Sequence, residues 1–170
     1  RDLLREAAAS RGFRMLVTPP ERHVEISRSV ASALGGTYVS FEDAFFRAHG
    51  HDIAALERAE QYAAQRAILT EHAETLVRDL LEEHGRPGHT VVLGETALLG
   101  LCGALDVPRW LYDEAMSGAL GFWVLVVPGV ILNRQPRFNE NESFFHLEGV
   151  TFPLPAVMPV VERGAGGGAR

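Results

Sequence analysis

The sequence predicts an α/β domain with three layers, in which a mainly parallel sheet of about five strands lies between helices. Three observations carry this. Short runs such as Met15-Leu16-Val17, Val91-Val92-Leu93 and Trp123–Val127 are apolar at every position, as strands covered on both faces are, rather than alternating. Between them lie longer segments with apolar residues at helical spacing. Glycine and proline punctuate the joins, as at Gly35-Gly36, Gly85-Arg86-Pro87-Gly88 and Pro128-Gly129.

In order along the chain, Arg1 to Ser10 reads as a helix through Leu3, Leu4, Ala7 and Ala8. Phe13–Val17 is the first strand. It passes through Thr18-Pro19-Pro20-Glu21-Arg22-His23 into a helix whose first turn suits Pro20 and Glu21. Val24, Ser27, Ala31 and Leu34 form that helix's expected inward face, and Gly35-Gly36 its C-cap. Thr37-Tyr38-Val39 is a second strand. Ser40-Phe41-Glu42-Asp43 opens a short helix in the manner of a capping box, with Phe45 and Phe46 following. Asp52 to His84 is the longest periodic segment, with Leu56, Ala59, Ala63, Ala67, Leu69, Ala73, Leu76, Leu80 and Leu81 near one stripe. Thr90–Leu93 is a third strand, followed by a helical turn at Thr96–Leu101. Pro108 introduces a helix over Arg109–Ser117. Phe122–Val127 is a fourth strand, and the alternation from Phe144 to Phe152 suggests a fifth. Residues 1–162 read as one domain, as a whole protein or as a piece of a longer chain, and 163–170 as a flexible Gly-rich tail.

Composition narrows the function classes. The chain has 170 residues and a net charge of −6, which gives no electrostatic reason to expect direct nucleic-acid binding. The longest apolar run, Gly121–Leu132, is too short to cross a bilayer and is broken by Pro128-Gly129, so no membrane partner is expected. Cys102 is the single cysteine, which rules out an internal disulfide and suits a cytoplasmic setting. All basic residues are arginine, a usage that fits GC-rich coding.

In an open parallel sheet, ligands collect beyond the carboxyl ends of the strands. The residues there are Arg22 and His23 after the first strand, Glu95 after the third, and Asn133, Arg134 and Arg137 after the fourth. Arg22, His23, Arg134 and Arg137 are the candidates for an anion site, because guanidinium forks match phosphate oxygens. Solvated loop residues are the bland alternative. Glu95 is either a general base or the N-cap of the following helical turn. Asn139-Glu140-Asn141-Glu142 with His146 offers metal-ligand atoms but no fixed multi-element geometry, and no metal is expected. Cys102 reads as a buried structural thiol. His23, His72 and His84 read as surface or capping residues, Trp123 as core, and Trp110 and Tyr112 as either core or contact patch.

The order of these parts resembles the P-loop NTPase fold. The strand–turn–helix at Met15–Leu34 stands in place of the first nucleotide-binding motif, Val91–Glu95 in place of the second, and Phe122–Gly129 in place of the sensor-type strand. Trp123–Gly129 followed by Arg137-Phe138-Asn139-Glu140 resembles the small P-loop-type proteins of bacterial BREX phage-defence systems, over residues 10–155. The family's glycines and Lys-Thr fall on Thr18–Glu25, where none match, and Gly94 stands where the Mg²⁺-holding Asp would be. The resemblance, with these departures, implies a non-catalytic module, without cofactor, that joins other protein subunits or domains of a defence assembly. The alternative is an atypical NTPase or phosphoryl-transfer domain that binds ATP and Mg²⁺ through arginine, with Glu95 as base.

Overall fold

The computed structural model describes residues 12–50, 63–118, 120–138, 142–145 and 150–153. The expected N-terminal helix, the start of the long helix through Leu56 and Ala59, the Gly-rich tail, and Asn139–Asn141 with His146 lie outside the described residues.

The elements run β1 (Gly12–Thr18), a 3₁₀ turn (Pro20–Arg22), α1 (His23–Leu34), β2 (Thr37–Ser40), α2 (Phe41–His49), α3 (Ala63–His84), β3 (Thr90–Gly94), α4 (Ala97–Leu101), α5 (Val107–Met116), β4 (Phe122–Pro128), β5 (Val130–Leu132), β6 (Gln135–Arg137) and β7 (Thr151–Pro153). Five strands form one sheet in the order β2-β3-β4-β1-β7, with every neighbouring pair parallel. The fully apolar strands β4 and β1 sit at the centre, with Met15 opposite Leu125 and Leu16 opposite Val126.

The two-residue period of the strands divides the core into two halves. Phe13, Met15, Val17, Val91, Leu93, Trp123, Leu125 and Val127 face one side, where α2, α3, α4 and α5 cover them through Phe41, Val77, Leu99 and Leu111. Leu16, Val92, Phe122, Val124 and Val126 face the other, covered by Ile26, Val30 and Ala31 of α1. The result is the three-layer α/β/α arrangement read from the sequence. Trp123 is fully buried in the larger cluster, and Trp110 and Tyr112 are half-buried against it.

Three local expectations are corrected. The inward face of α1 is His23, Ile26, Ser27, Val30 and Ala31, while Val24 is exposed. At the expected Phe144–Phe152 strand, Thr151–Pro153 is paired with β1, and residues 146–149 lie outside the described residues. Phe144 and Phe145 are not in a strand, and Ser143 makes only an isolated bridge to Arg137. A hairpin, β5–β6, follows β4 directly. It turns at Asn133 and Arg134, whose φ angles of 51° and 65° give the left-handed turn that matches strand twist.

Leu125 is fully buried in the middle of β4. Leu125→Ala is expected to cost about 2–5 kcal/mol in lost transfer energy and cavity formation. Chemical denaturation of the two proteins measures this, and an unchanged midpoint would show that β4 is not the centre of the core.

Candidate functional site

The chain leaving β1 turns to the α1 face of the sheet, and the chain leaving β3 turns to the opposite face through α4. Their divergence opens a groove of about 340 Å³ at the carboxyl ends of the strands. Pro20, Val24, Ala97, Pro128 and Phe138 give it apolar walls, and His23, Glu42 and Glu95 give it polar groups.

Beneath the groove is a buried polar network. Thr18, His23, Ser27 and Thr96 are the four buried polar residues among the described residues, and all lie at this edge. The Thr96 backbone N–H donates to His23 Nε2 at 3.1 Å. The Thr96 hydroxyl donates to the Val126 carbonyl at 2.6 Å, and the Ser27 hydroxyl to the His23 carbonyl at 2.7 Å. His23 Nε2 is therefore an acceptor, which places the ring proton of the neutral imidazole on Nδ1. Burial lowers the His23 pKa below its ordinary value, opposed by the nearby Glu95 charge. The sequence reading of His23 as a surface or capping residue is thus overturned. The signal was present: positions 23, 26, 27, 30 and 31 have helical spacing, and only the imidazole disguised the stripe.

Glu95 does not cap α4. Thr96 occupies the N-cap position, without a side-chain bond, while the Glu95 carboxylate accepts from the Ser40 hydroxyl and pairs with Arg28 at 3.1 Å. Ser40 also caps α2 by accepting from the Asp43 N–H at 3.0 Å. Arg28 lies over the Tyr38 ring, 5.6 Å from its centre. Glu95 itself has φ of 50°, so the chain bends sharply after β3. Glu42, across the groove, has its pKa raised by burial and then by the neighbouring charges of Glu95 and Asp43.

Of the four anion-site candidates, His23 alone lines the groove. Arg22 is tied to Glu25 at 2.8 Å, Arg134 is exposed at the hairpin turn, and Arg137 is half-buried in β6. The charged side chains lining the groove are the carboxylates Glu42 and Glu95, the latter paired with Arg28.

Elsewhere, Glu142 pairs with Arg66, and the buried Cys102 thiol is pushed up to about 12, chiefly by burial. The rings of His49 and His72 stack in parallel with centres 4.5 Å apart between α2 and α3. Among the described residues no group of three or more His, Cys, Asp or Glu side chains is placed to hold a metal, and no helix is long and apolar enough to cross a membrane. Comparison of the chain with protein-family models, curated proteins and solved structures returned no match.

A charged His23 cannot accept the Thr96 N–H, so its lowered pKa ties fold stability to pH. The contribution is complete above the unfolded value near 6.5 and is lost as pH falls through the folded value. His49, lowered by burial and then by His72, acts in the same direction. Burial and then the Glu95 and Asp43 charges raise the Glu42 pKa, which acts with the opposite sign, whereas Arg22 lowers that of Glu25, which acts in the same direction as the histidines. The melting temperature is therefore expected to fall between about pH 7.5 and pH 5.5. His23→Gln, whose amide oxygen can still accept from Thr96, should flatten part of that slope. Identical slopes in the two proteins would show that His23 is not held as an acceptor.

Proposed function

We propose that this domain is a non-catalytic, P-loop-like interaction module that works as a subunit or domain of a larger bacterial assembly, of the phage-defence kind its sequence resembles, in the cytoplasm. The observation that carries this reading is the turn between β1 and α1. A phosphate cradle needs convergent free backbone N–H groups there. Pro19 and Pro20 have none, the Arg22 N–H donates to the Pro19 carbonyl at 3.1 Å, and the His23 N–H donates to the Pro20 carbonyl. The turn is folded onto itself.

The second-motif position supports the same reading through packing. A Cβ at Gly94 would meet Ser27 Cβ at 2.6 Å and the Tyr38 ring at 2.7 Å. The missing side chain is what lets α1 sit so close to β3, and an Asp in that place would collide with the Ser27 side chain and the Tyr38 ring. The Lys, the Ser/Thr partner of Mg²⁺ and the Asp would each supply charge-assisted contacts of about 1.5–3 kcal/mol, against about 8 kcal/mol for a whole micromolar affinity. The rival NTPase reading draws on Glu95 beside His23 in one groove. Both Glu95 oxygens are engaged, by Arg28 and Ser40, as a structural carboxylate's would be.

Calorimetric titration with MgATP is expected to give no saturable heat, and steady-state assays no phosphate release. Turnover that vanishes in Glu95→Gln would establish the enzyme instead. Gly94→Ala is expected to destabilise the domain by about 1–3 kcal/mol through overpacking. Gly94→Asp should lower stability at least as far and confer no Mg²⁺-dependent nucleotide binding. A stable Gly94→Asp protein that binds MgATP would contradict the packing account.

A further inference from the structure

We propose that the groove at the strand ends docks a single arginine side chain presented by a protein partner. This rests on the interaction-module reading and names the chemistry of the partner. The groove is lined by a carboxylate, Glu42, that has no ion-pair partner among the described residues, although Glu95 and Asp43 act on it with like charge. The arginines of α1 and its preceding turn cannot serve it: Arg22 is held by Glu25 and Arg28 by Glu95. A cation from outside would relieve the repulsion between Glu42 and Glu95.

The other walls favour arginine over a compact ammonium. Phe138 is half-buried and locked in place, its ring packed over Gly100 and set edge-on to Phe144 at 5.9 Å. A guanidinium can lie on that ring while its fork reaches the Glu42 carboxylate. Pro20, Val24 and Pro128 offer apolar surface for the alkyl stem, and Val24 is 42% exposed although it lies on a helix whose other large apolar residues are covered. His23 Nε2 is committed to Thr96, so the imidazole adds no competing positive charge to the site at neutral pH. The chain itself places guanidinium groups over aromatic rings in three other places, at Tyr38, Trp110 and Phe145.

The test is an ¹H–¹⁵N titration of the full chain with the peptide acetyl-Gly-Ala-Arg-Ala-Gly-amide, beside its lysine and citrulline counterparts. The arginine peptide should shift the amides of Glu42, Glu95, Ala97 and Phe138 saturably. Citrulline keeps the shape and loses the charge, and should bind at least about tenfold more weakly. Lysine should bind about threefold more weakly, for want of the planar fork. Glu42→Gln, an exposed substitution in the first turn of α2, should weaken the arginine peptide about tenfold and leave the rest of the spectrum unchanged. Equal binding of the arginine and citrulline peptides, unchanged binding by Glu42→Gln, or shifts lying outside the groove would each overturn the proposal. MgATP added to the same sample separates the two readings. If both MgATP and the peptide are silent, the docking proposal alone fails, whereas saturable shifts from MgATP would overturn the interaction module itself.

Discussion

The seat of α1 on the carboxyl ends of the sheet is the constraint from which the rest of the ligand edge follows. It is set by a glycine and three hydrogen bonds. Gly94 has no Cβ, so Ser27 can come against β3, where its hydroxyl turns back to the His23 carbonyl. His23 reaches under the groove to take the Thr96 N–H, and the Thr96 hydroxyl reaches on to β4 at Val126. Each polar group is buried, and in a site of low dielectric each would be costly if left unpaired. The helix, β3 and β4 are thus tied together at one point, next to the larger hydrophobic faces that hold them elsewhere.

That seat fixes what the edge can do chemically. With α1 so close, position 94 has no room for a side chain, and the two prolines before the helix bring no backbone N–H groups to that turn. The guanidinium groups nearest by are already neutralised, Arg22 by Glu25 and Arg28 by Glu95. What remains open is a shallow groove with apolar walls and a net negative lining. On the docking proposal, this lining takes a cationic side chain.

The strands β1, β3 and β4 were legible because burial on both faces forces a run of apolar residues that no turn or surface helix would carry. The helix caps were legible too: Ser40 accepts from Asp43 N–H, and Gly35 ends α1 in the left-handed region with φ of 64°. The hairpin β5–β6 was hidden because its Asn133-Arg134 turn contains no glycine and its first strand continues the apolar run of β4. The alternation from Phe144 to Phe152 did not show that Phe144 and Phe145 lie outside a strand, because alternation alone cannot tell backbone pairing, as Thr151–Pro153 has with β1, from unpaired chain. The site was the least legible part. Glu95 finds Arg28 and Ser40 from 67 and 55 residues away, and no local pattern announces such pairs. His23 was misread because a histidine that opens a helix is ordinarily solvated, although it shares the helical spacing of the buried stripe 26, 27, 30 and 31.

The ¹⁵N shifts and long-range couplings of the His23 imidazole test this account most directly, because the ring's protonation pattern reports whether α1 is seated on Thr96. The account predicts a neutral ring at pH 7.5 with the proton on Nδ1 and a bare, accepting Nε2, persisting below the pH at which an ordinary histidine charges. A ring carrying its proton on Nε2, or one that titrates like a free histidine, would show that the helix is not held to the sheet in this way, and the description of the ligand edge would fall with it.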